Sequence, residues 1–246
     1  STLMAWADDT NGRRQYTLRV KNLETGETLP EAIPGTSGNA VWADDGKTLF
    51  YVENDPETLL TTKVKRHLLG NATSEDVLVY EERDDSFYMG ISRTRDDAFI
   101  CIGADSTVSS ELRCTPAAQP GEFTVLAARE RDVEYDADHY DGRWVIRTNA
   151  EGATNFKLMT APTGSTSRQD WHDLVAYDPK VFIEGFELFD GFTAVAERSG
   201  GLVRVHILKQ AGESEYVKAD ETAYSMGLSA NPEGNSDWLR YSYTSL

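Results

Sequence analysis

The stretch that decides the fold covers residues 39 to 82 and reads NAVWADDGKTLFYVENDPETLLTTKVKRHLLGNATSEDVLVYEE. Short apolar runs rich in Val, Tyr, Phe and Trp alternate with tight polar turns. This pattern is typical of strands that lie on a pleated, half-buried surface. The stretch therefore predicts four consecutive strands, at 39–44, 48–53, 62–69 and 76–82.

The turns of this stretch recur along the whole chain. One series of Asp or Gly turns falls at positions 46, 97, 142, 191 and 237, and a second series falls at 26, 70, 121, 164 and 212. A repeat of about 45 residues that holds four short strands is the signature of a β-propeller blade. A β-sandwich or an irregular all-β domain has strands at similar spacing but not two regular turn series, so the pattern favours the propeller.

The sequence therefore predicts an all-β fold, a β-propeller fragment with four complete four-stranded blades and two partial blades. Beyond the first blade, the complete ones comprise strands 87–94, 98–103, 110–115 and 122–128, then 134–140, 143–149, 154–160 and 173–177, then 181–189, 192–198, 202–209 and 215–219. A partial blade precedes them at 3–8, 15–22 and 28–31, and another follows at 224–229 and 238–243. Because the chain starts without Met at the edge of a predicted strand, we expect it to be part of a longer protein.

Charge and hydropathy exclude several classes of function. Lys and Arg number 24 against 41 Asp and Glu, which gives a net charge of −17. Nucleic-acid binding needs a clustered excess of basic residues, so we expect no nucleic-acid partner. No apolar run reaches the roughly 18 residues of a membrane span, so we expect no membrane partner either.

Two cysteines cannot form a disulfide framework, which favours a reducing compartment and a cytoplasmic location. Cys101 and Cys114 fall on the second and third predicted strands of one blade. A turn centred near residues 107 and 108 places them opposite each other. We expect two reduced, buried thiols that act as small apolar side chains.

The sequence contains no recognisable catalytic or metal-binding motif. There is no G-x-S-x-G elbow, and the four histidines lie on different blades without metal-ligand spacing. Adjacent carboxylates are frequent, but a chain this acidic produces such pairs by composition alone. We therefore predict no cofactor, no metal and no catalytic residue within these 246 residues.

Several longer motifs occur in an order that resembles the oligopeptidase B branch of the prolyl oligopeptidase family. The resemblance covers essentially the whole chain. It is carried by Arg13-Arg14-Gln15-Tyr16, Asn22-Leu23-Glu24-Thr25-Gly26, Tyr80-Glu81-Glu82, Glu184-Gly185-Phe186 and Arg240-Tyr241-Ser242-Tyr243, among others.

This resemblance implies a seven-bladed propeller joined to an α/β-hydrolase domain that carries a Ser-Asp-His triad. The chain would be about five-sevenths of the propeller and would contain none of the catalytic centre. The longer protein would be a serine endopeptidase that cleaves short peptides after Lys or Arg, with the propeller excluding folded proteins. The competing interpretation is a free-standing propeller that binds a partner protein and has no peptidase activity.

Blade topology predicts which loops face the hydrolase domain. Loops that join strands two and three, or strand four and the next strand one, share one face of a propeller. The motifs of the resemblance cluster in those loops. We expect Arg13 and Arg14 to dock the hydrolase domain through ion pairs, although a solvated doublet is the simpler alternative.

Acidic side chains of the same loops are the candidates for the cavity lining. They would attract basic oligopeptides, although surplus acid can also serve solubility alone. These candidates are Glu81, Glu82, Asp84 and Asp85. The incomplete terminal blades leave sheet edges unpaired. Either the arc contracts until strands 224–229 and 3–8 pair in a five-bladed ring, or two copies of the fragment pair through these edges. We favour the second, because it leaves the angle between blades unchanged.

Overall fold

Antiparallel β-strands joined by short turns make up nearly all the regular structure, which confirms the all-β prediction. The structure is a computed structural model and describes residues 2–210 and 212–245. Two compact units follow one another along the chain, Ser1–Arg131 and Asp132–Leu246. In the described part of the chain, no helix has the length and apolar character needed to cross a bilayer.

Unit one contains a six-stranded sheet and a four-stranded sheet. The first has its strands in chain order: β1 (Leu3–Asp8), β2 (Tyr16–Asn22), β3 (Thr28–Trp42), β4 (Thr48–Asn54), β5 (Thr61–Leu68) and β6 (Val77–Glu81). The second consists of β7 (Tyr88–Arg93), β8 (Phe99–Asp105), β9 (Ser110–Pro116) and β10 (Thr124–Val125), again in chain order. A short 3-10 helix, Thr73–Glu75, lies between β5 and β6.

The core of unit one forms on both faces of β4. Alternate residues of a strand point to opposite faces. Leu49 and Tyr51 join one apolar cluster, with Leu18 of β2. Phe50 and Val52 join a second cluster that includes the second sheet, and Phe50 meets the ring of Phe123 edge-on at 5.6 Å between centroids. A strand that is apolar at successive positions is thus buried between two layers.

The long strand β3 differs from the prediction, which placed separate strands at 28–31 and 39–44. Its first half pairs with β2 and its second half pairs with β4, with register shifts on both sides of Thr36. Gly35 and Gly38 both have positive φ in this segment. The chain therefore changes partner within one extended segment, without the tight turn that separates the other predicted strands.

Unit two contains two four-stranded sheets and one two-stranded sheet, each with its strands in chain order. They comprise β11 (Tyr135–Tyr140), β12 (Arg143–Thr148), β13 (Lys157–Pro162) and β14 (His172–Val175); β15 (Phe182–Leu188), β16 (Phe192–Ser199), β17 (Leu202–Lys209) and β18 (Ser214–Tyr216); and β19 (Tyr224–Leu228) with β20 (Tyr241–Ser245). Two 3-10 helices, Ala150–Gly152 and Arg168–Asp170, lie in the connections.

Successive sheets of unit two pack through their apolar faces. Leu158 of β13 joins Ile183 and Val195 in one buried cluster. Val205 of β17 joins Met226 of β19 in another. Every predicted strand overlaps an observed one, whereas the number of blades in a complete ring stays a prediction.

Cys101 and Cys114 correct one prediction and confirm another. They are directly opposite each other on β8 and β9, as the turn position indicated. Their sulfurs form a disulfide, so the expectation of two reduced thiols is wrong. The physical reason is proximity, because their Cα atoms are 4.1 Å apart and face each other across an antiparallel pair. The cysteines therefore no longer support a reducing compartment.

Candidate functional site

Five loops of unit one lie at the same end of its sheets. They follow β1, β4, β6, β8 and β10, and we call them the loop face: residues 9–15, 55–60, 82–87, 106–109 and 126–131. Hydrogen bonds link neighbouring loops. Gln15 Nε2 donates to the Asp55 carbonyl at 3.4 Å, and Ser109 Oγ donates to the Glu130 carbonyl at 3.0 Å. The order of the strands predicted that these loops share one face. The two hydrogen bonds show contact between the first and second loops and between the fourth and fifth.

The first loop is held by the carboxylate of Asp9. It accepts backbone N–H bonds from Asn11, Gly12, Arg13 and Arg14, at 2.7 to 3.3 Å. Desolvation raises the pKa of Asp9 while these bonds lower it, and the bonds prevail, so the pKa lies below its usual value. The loop therefore closes on an ionised side chain of its own.

Arg13 and Arg14 project from this closed loop. Both are exposed, and within residues 2–210 and 212–245 neither side chain makes an ion pair. Arg14 has a φ of 58°, in the left-handed region that favours glycine. Its carbonyl accepts a bond from Asn54 Nδ2 at 3.1 Å, which fixes the loop to the end of β4.

The loop after β4 has the same construction. The Asp55 carboxylate accepts bonds from the backbone N–H of Glu57 and from both the N–H and the hydroxyl of Thr58. These bonds, with those from Thr58 first, lower the pKa of Asp55. Two neighbouring loops are thus each organised by an aspartate at their first position, as in other Asx turns.

The four predicted acidic residues have different environments. Glu81 pairs with the exposed guanidinium of Arg83 at 2.9 Å. Asp84 accepts bonds from the N–H and hydroxyl of Ser86, so it organises its own loop. Asp85 is exposed to solvent. Glu82 is nearly buried, with 8% of its side chain exposed, and it belongs to a network of charges.

Arg129 is the centre of this network. Its Nη2 lies 2.6 Å from Glu82 Oε2 and 3.3 Å from Glu111 Oε1, and its guanidinium lies 3.9 Å over the ring of Phe87. The Arg129 backbone N–H also donates to Glu111 at 3.1 Å. Arg113 adds a second cation, 2.7 Å from Glu111. The network ties the loop after β6 to the segment after β10.

Burial and pairing oppose each other in the two carboxylates of this network. Desolvation raises the pKa of Glu82 and of Glu111, but hydrogen bonds from Arg129 outweigh it, so both pKa values lie below the usual value. Tyr80, which donates its hydroxyl to Glu82 at 2.9 Å, has a raised pKa because of desolvation and the carboxylate beside it. Both carboxylates are therefore ionised, and both are paired with groups of the protein itself.

Glu111, Arg113 and Arg129 were not predicted from the sequence. The available signal was a pair of opposite charges two residues apart, Glu111 and Arg113, inside a predicted strand. Side chains two apart on a strand share a face, so this pair indicated a paired charge site. Its connection to Glu82 depends on contacts between distant segments and could not be deduced from spacing.

Unit two contains a comparable cluster, on β16 to β18. Glu197 is 3% exposed and accepts bonds from Tyr216 at 3.0 Å and Arg204 at 3.1 Å, while His206 Nδ1 lies 2.7 Å from its other oxygen. In the part of the chain that the structure describes, no group of three or more His, Cys, Asp or Glu has an arrangement that could hold a metal ion. The Glu197 cluster is thus a set of paired charges and hydrogen bonds within one sheet.

Comparison with known proteins relates the whole chain to one family of peptidases. Residues 1–246 match the family described as "Prolyl oligopeptidase, N-terminal beta-propeller domain". The chain is 69% identical over 244 residues to dipeptidyl aminopeptidase BI of Pseudoxanthomonas mexicana. That alignment covers 99% of this chain and 34% of that protein. It is 28% identical over 246 residues to protease 2 of Moraxella lacunata, in an alignment that covers 99% of this chain and 35% of that protein.

Among solved structures, oligopeptidase B of Leishmania major aligns with a TM-score of 0.91 and 31% identity. This alignment covers 100% of the chain and 36% of that protein. The chain thus spans about a third of the length of the relatives that it matches.

Proposed function

Because the chain belongs to the prolyl oligopeptidase family, as its N-terminal β-propeller domain, we propose that it is the non-catalytic propeller part of a serine peptidase. In this proposal, a following α/β-hydrolase domain holds the catalytic triad. The propeller covers that centre and admits only short or unfolded peptides. Its loop face is the surface that lies toward the peptidase domain.

We propose release of dipeptides from the amino end of short peptides as the reaction of the whole protein. The observation that carries this proposal is the 69% identity to a dipeptidyl aminopeptidase over 99% of the chain. Such an enzyme must recognise the substrate's free α-ammonium group. The net charge of −17 on these 246 residues favours the approach of a cationic group.

Endopeptidase cleavage after Lys or Arg is the second candidate. It is what the motifs shared with oligopeptidase B imply, and the chain is 31% identical to the Leishmania major enzyme of that name. A cationic side chain at the cleavage position would benefit from the same negative surface. In either case, we propose that Glu81, Asp84 and Asp85 contribute surface charge to the cavity, and that Glu82 holds their loop through Arg129.

Four chromogenic substrates distinguish the two reactions in the full-length protein. Each is a dipeptide joined to a chromogenic leaving group. Its amino end is either free or blocked by benzyloxycarbonyl, and the residue at the cleavage position is either Arg or Ala. A dipeptidyl aminopeptidase cleaves only the two with a free amino end. An endopeptidase specific for basic residues cleaves the blocked Arg substrate, and this result would overturn dipeptide release.

A free-standing binding module remains the alternative to a peptidase. The natural open reading frame separates the two, because only the peptidase requires a G-x-S-x-G segment after Leu246. A reading frame that ends near that residue would contradict the peptidase proposal.

The cytoplasmic location also stays a prediction. The disulfide argues for an oxidising compartment, where such bonds persist. Thiol alkylation before and after reduction, in separated cell fractions, tests the location.

A further inference from the structure

Asp105 differs from most carboxylates at or beside the loop face. The others mostly serve the chain itself, by closing their own loops or by pairing with Arg129: Asp9, Asp55, Asp84, Glu82 and Glu111. Asp105 is the last residue of β8, and within residues 2–210 and 212–245 it has no cation beside it. Its negative charge is therefore available to a ligand.

The surroundings of Asp105 favour a positive partner. Although the residue is exposed, enough of the chain lies around its carboxylate to desolvate it, and this desolvation raises the pKa of Asp105 above its ordinary value. A hydrogen bond from the Ser110 hydroxyl opposes the rise without cancelling it. A cation bound here would stabilise the ionised carboxylate, because a nearby opposite charge favours the charged form.

An exposed aromatic ring stands opposite this carboxylate. Tyr88 is the first residue of β7, pairs in register with Asp105 and is 64% exposed. Side chains at directly opposite positions of an antiparallel pair share a face of the sheet, with their Cβ atoms about 5 Å apart. An aromatic ring beside a carboxylate suits an organic cation, because the face of the ring and the negative charge both attract it.

The surface next to this pair carries no side chains. Two residues further along each strand, on the same face, Gly90 and Gly103 are directly opposite each other. A Cβ atom added at Gly103 would lie 3.7 Å from the Asp105 carboxylate and 4.0 Å from Leu112. One added at Gly90 would lie 3.6 Å from Asn39 Oδ1. These are ordinary contact distances, so the two glycines leave a strip of bare backbone, which a ligand can approach closely.

We propose that Asp105 and Tyr88 form a recognition point for a cationic group of the peptide substrate, with Asp105 as its ion-pair partner and Tyr88 as the ring beside it. The inference rests on the proposed function and adds the residues that recognise the charge of the substrate. Tyr88 directly follows the loop of residues 82–87, and Asp105 directly precedes the loop of residues 106–109. The pair thus lies at the loop face, which the proposed function turns toward the cavity.

Two parts of a peptide can supply the cation. One is the α-ammonium group at a free amino end, and the other is the side chain of Lys or Arg. Both are organic cations that a carboxylate and an aromatic ring bind by the same forces. The recognition chemistry is therefore shared, and the experiment has to separate the two sources.

Calorimetric titration of the full-length protein with three dipeptides tests the proposal. Ala-Ala carries an α-ammonium group, acetyl-Ala-Arg carries a guanidinium group, and acetyl-Ala-Ala carries neither. All three correspond to products of cleavage, so binding is measured without turnover. The test variant is Asp105→Asn, which removes the charge and keeps the shape. The matched control is Glu122→Gln, because Glu122 is exposed and lies between β9 and β10, at the opposite end of the same sheet.

We expect the native protein to bind one of the cationic dipeptides about tenfold more tightly than acetyl-Ala-Ala, as a charge-assisted hydrogen bond predicts. Asp105→Asn should remove this advantage, and Glu122→Gln should keep it. An advantage of Ala-Ala assigns the site to the α-ammonium group, and an advantage of acetyl-Ala-Arg assigns it to the basic side chain. An advantage that survives in Asp105→Asn, or that Glu122→Gln removes equally, would overturn the proposal, and so would its absence from the native protein.

Substitution of Tyr88 gives a second readout, which stays available if Asp105→Asn does not fold. Because Tyr88 is largely exposed, its replacement leaves the core intact. We expect Tyr88→Leu to weaken binding of the preferred cationic dipeptide about threefold and Tyr88→Phe to restore it, since the ring rather than the hydroxyl attracts the cation. Equal binding by Tyr88→Leu and the native protein would contradict the role of the ring.

Failure of this inference and failure of the proposed function have different signatures. A full-length protein without peptidase activity would refute the proposed function, but the titrations would still measure whether Asp105 binds a cation. An active peptidase whose Asp105→Asn variant keeps its preference for the cationic dipeptide would refute the recognition point alone.

Discussion

Arg129 places one guanidinium group between two nearly buried carboxylates, Glu82 and Glu111. Removing it leaves Glu82 nearly buried without its cation and Glu111 with Arg113 alone, which is more costly than losing an exposed pair. At the scale of single residues, the ion pairs of Arg129 with Glu82 and Glu111 therefore stabilise the loop face, and substitution of Arg129 alone removes both pairs.

We expect Arg129→Met to lower the free energy of unfolding by about 2 kcal/mol, a figure reduced for the part of Arg129 that remains exposed. Arg83→Met is the matched control, because its pair with Glu81 is exposed and should change stability by less than about 0.5 kcal/mol. Urea unfolding measures both. Equal effects of the two substitutions would contradict the role given to Arg129.

The same variant should have a defined pH dependence. Glu82 and Glu111 have lowered pKa values, so they stabilise the folded protein above their usual pKa, and this stabilisation is lost as pH falls through the lowered values. Without Arg129, both carboxylates lose the hydrogen bonds that most oppose burial, so both pKa values rise. The difference in stability between the native protein and the variant should therefore shrink as pH falls from about 5 to 3. A difference that grows over this range would contradict the account.

The Cys101–Cys114 disulfide should contribute to the stability of unit one. Its two cysteines are 13 residues apart in sequence, and closing a loop of this length is worth about 3 kcal/mol. We expect reductant to lower the free energy of unfolding of the native protein but not of a Cys101→Ala, Cys114→Ala variant. Rapid alkylation of both cysteines in untreated protein would show that the bond is absent.

At the scale of elements, strand positions were predictable and their partners only partly so. The runs around β4 and β17 have clear turn punctuation, and their positions were predicted to within a residue. The unbroken path of β3 was missed, because bulges around Thr36 replace the turn that a sequence pattern would reveal. The arginine doublet was identified from its motif, whereas the Arg129 network depends on long-range packing that local spacing does not encode.

The segment between β19 and β20 contacts the end of β11 closely. A Cβ atom added at Gly234 would lie 2.5 Å from the ring of Tyr140. We expect Gly234→Ala to destabilise the chain by about 1–3 kcal/mol, since an overpacked ring has to move. Gly164→Ala is the control, because a Cβ atom there meets nothing within 4 Å and its φ is not positive. Thermal unfolding compares the two, and equal midpoints would show that Tyr140 moves without cost.

At the scale of the whole molecule, sheet edges become important. Among the described strands, β20 pairs only with β19, and all five of its residues are exposed. An edge of this kind is a template for further strand pairing. We expect the chain of residues 1–246 to form dimers, detected by multi-angle light scattering as a mass that rises with concentration toward twice 27.4 kDa. A strictly monomeric chain with the amides of residues 3–8 protected from exchange would contradict this.

The central claim is that the chain is the non-catalytic propeller of a serine peptidase, and fluorophosphonate labelling tests it most directly. The reagent bonds covalently to an activated serine, and mass spectrometry locates the site. We predict a single labelled serine beyond residue 246 in the full-length protein and no label on residues 1–246 expressed alone. A labelled serine within residues 1–246, or a full-length protein that is not labelled at all, would contradict the claim.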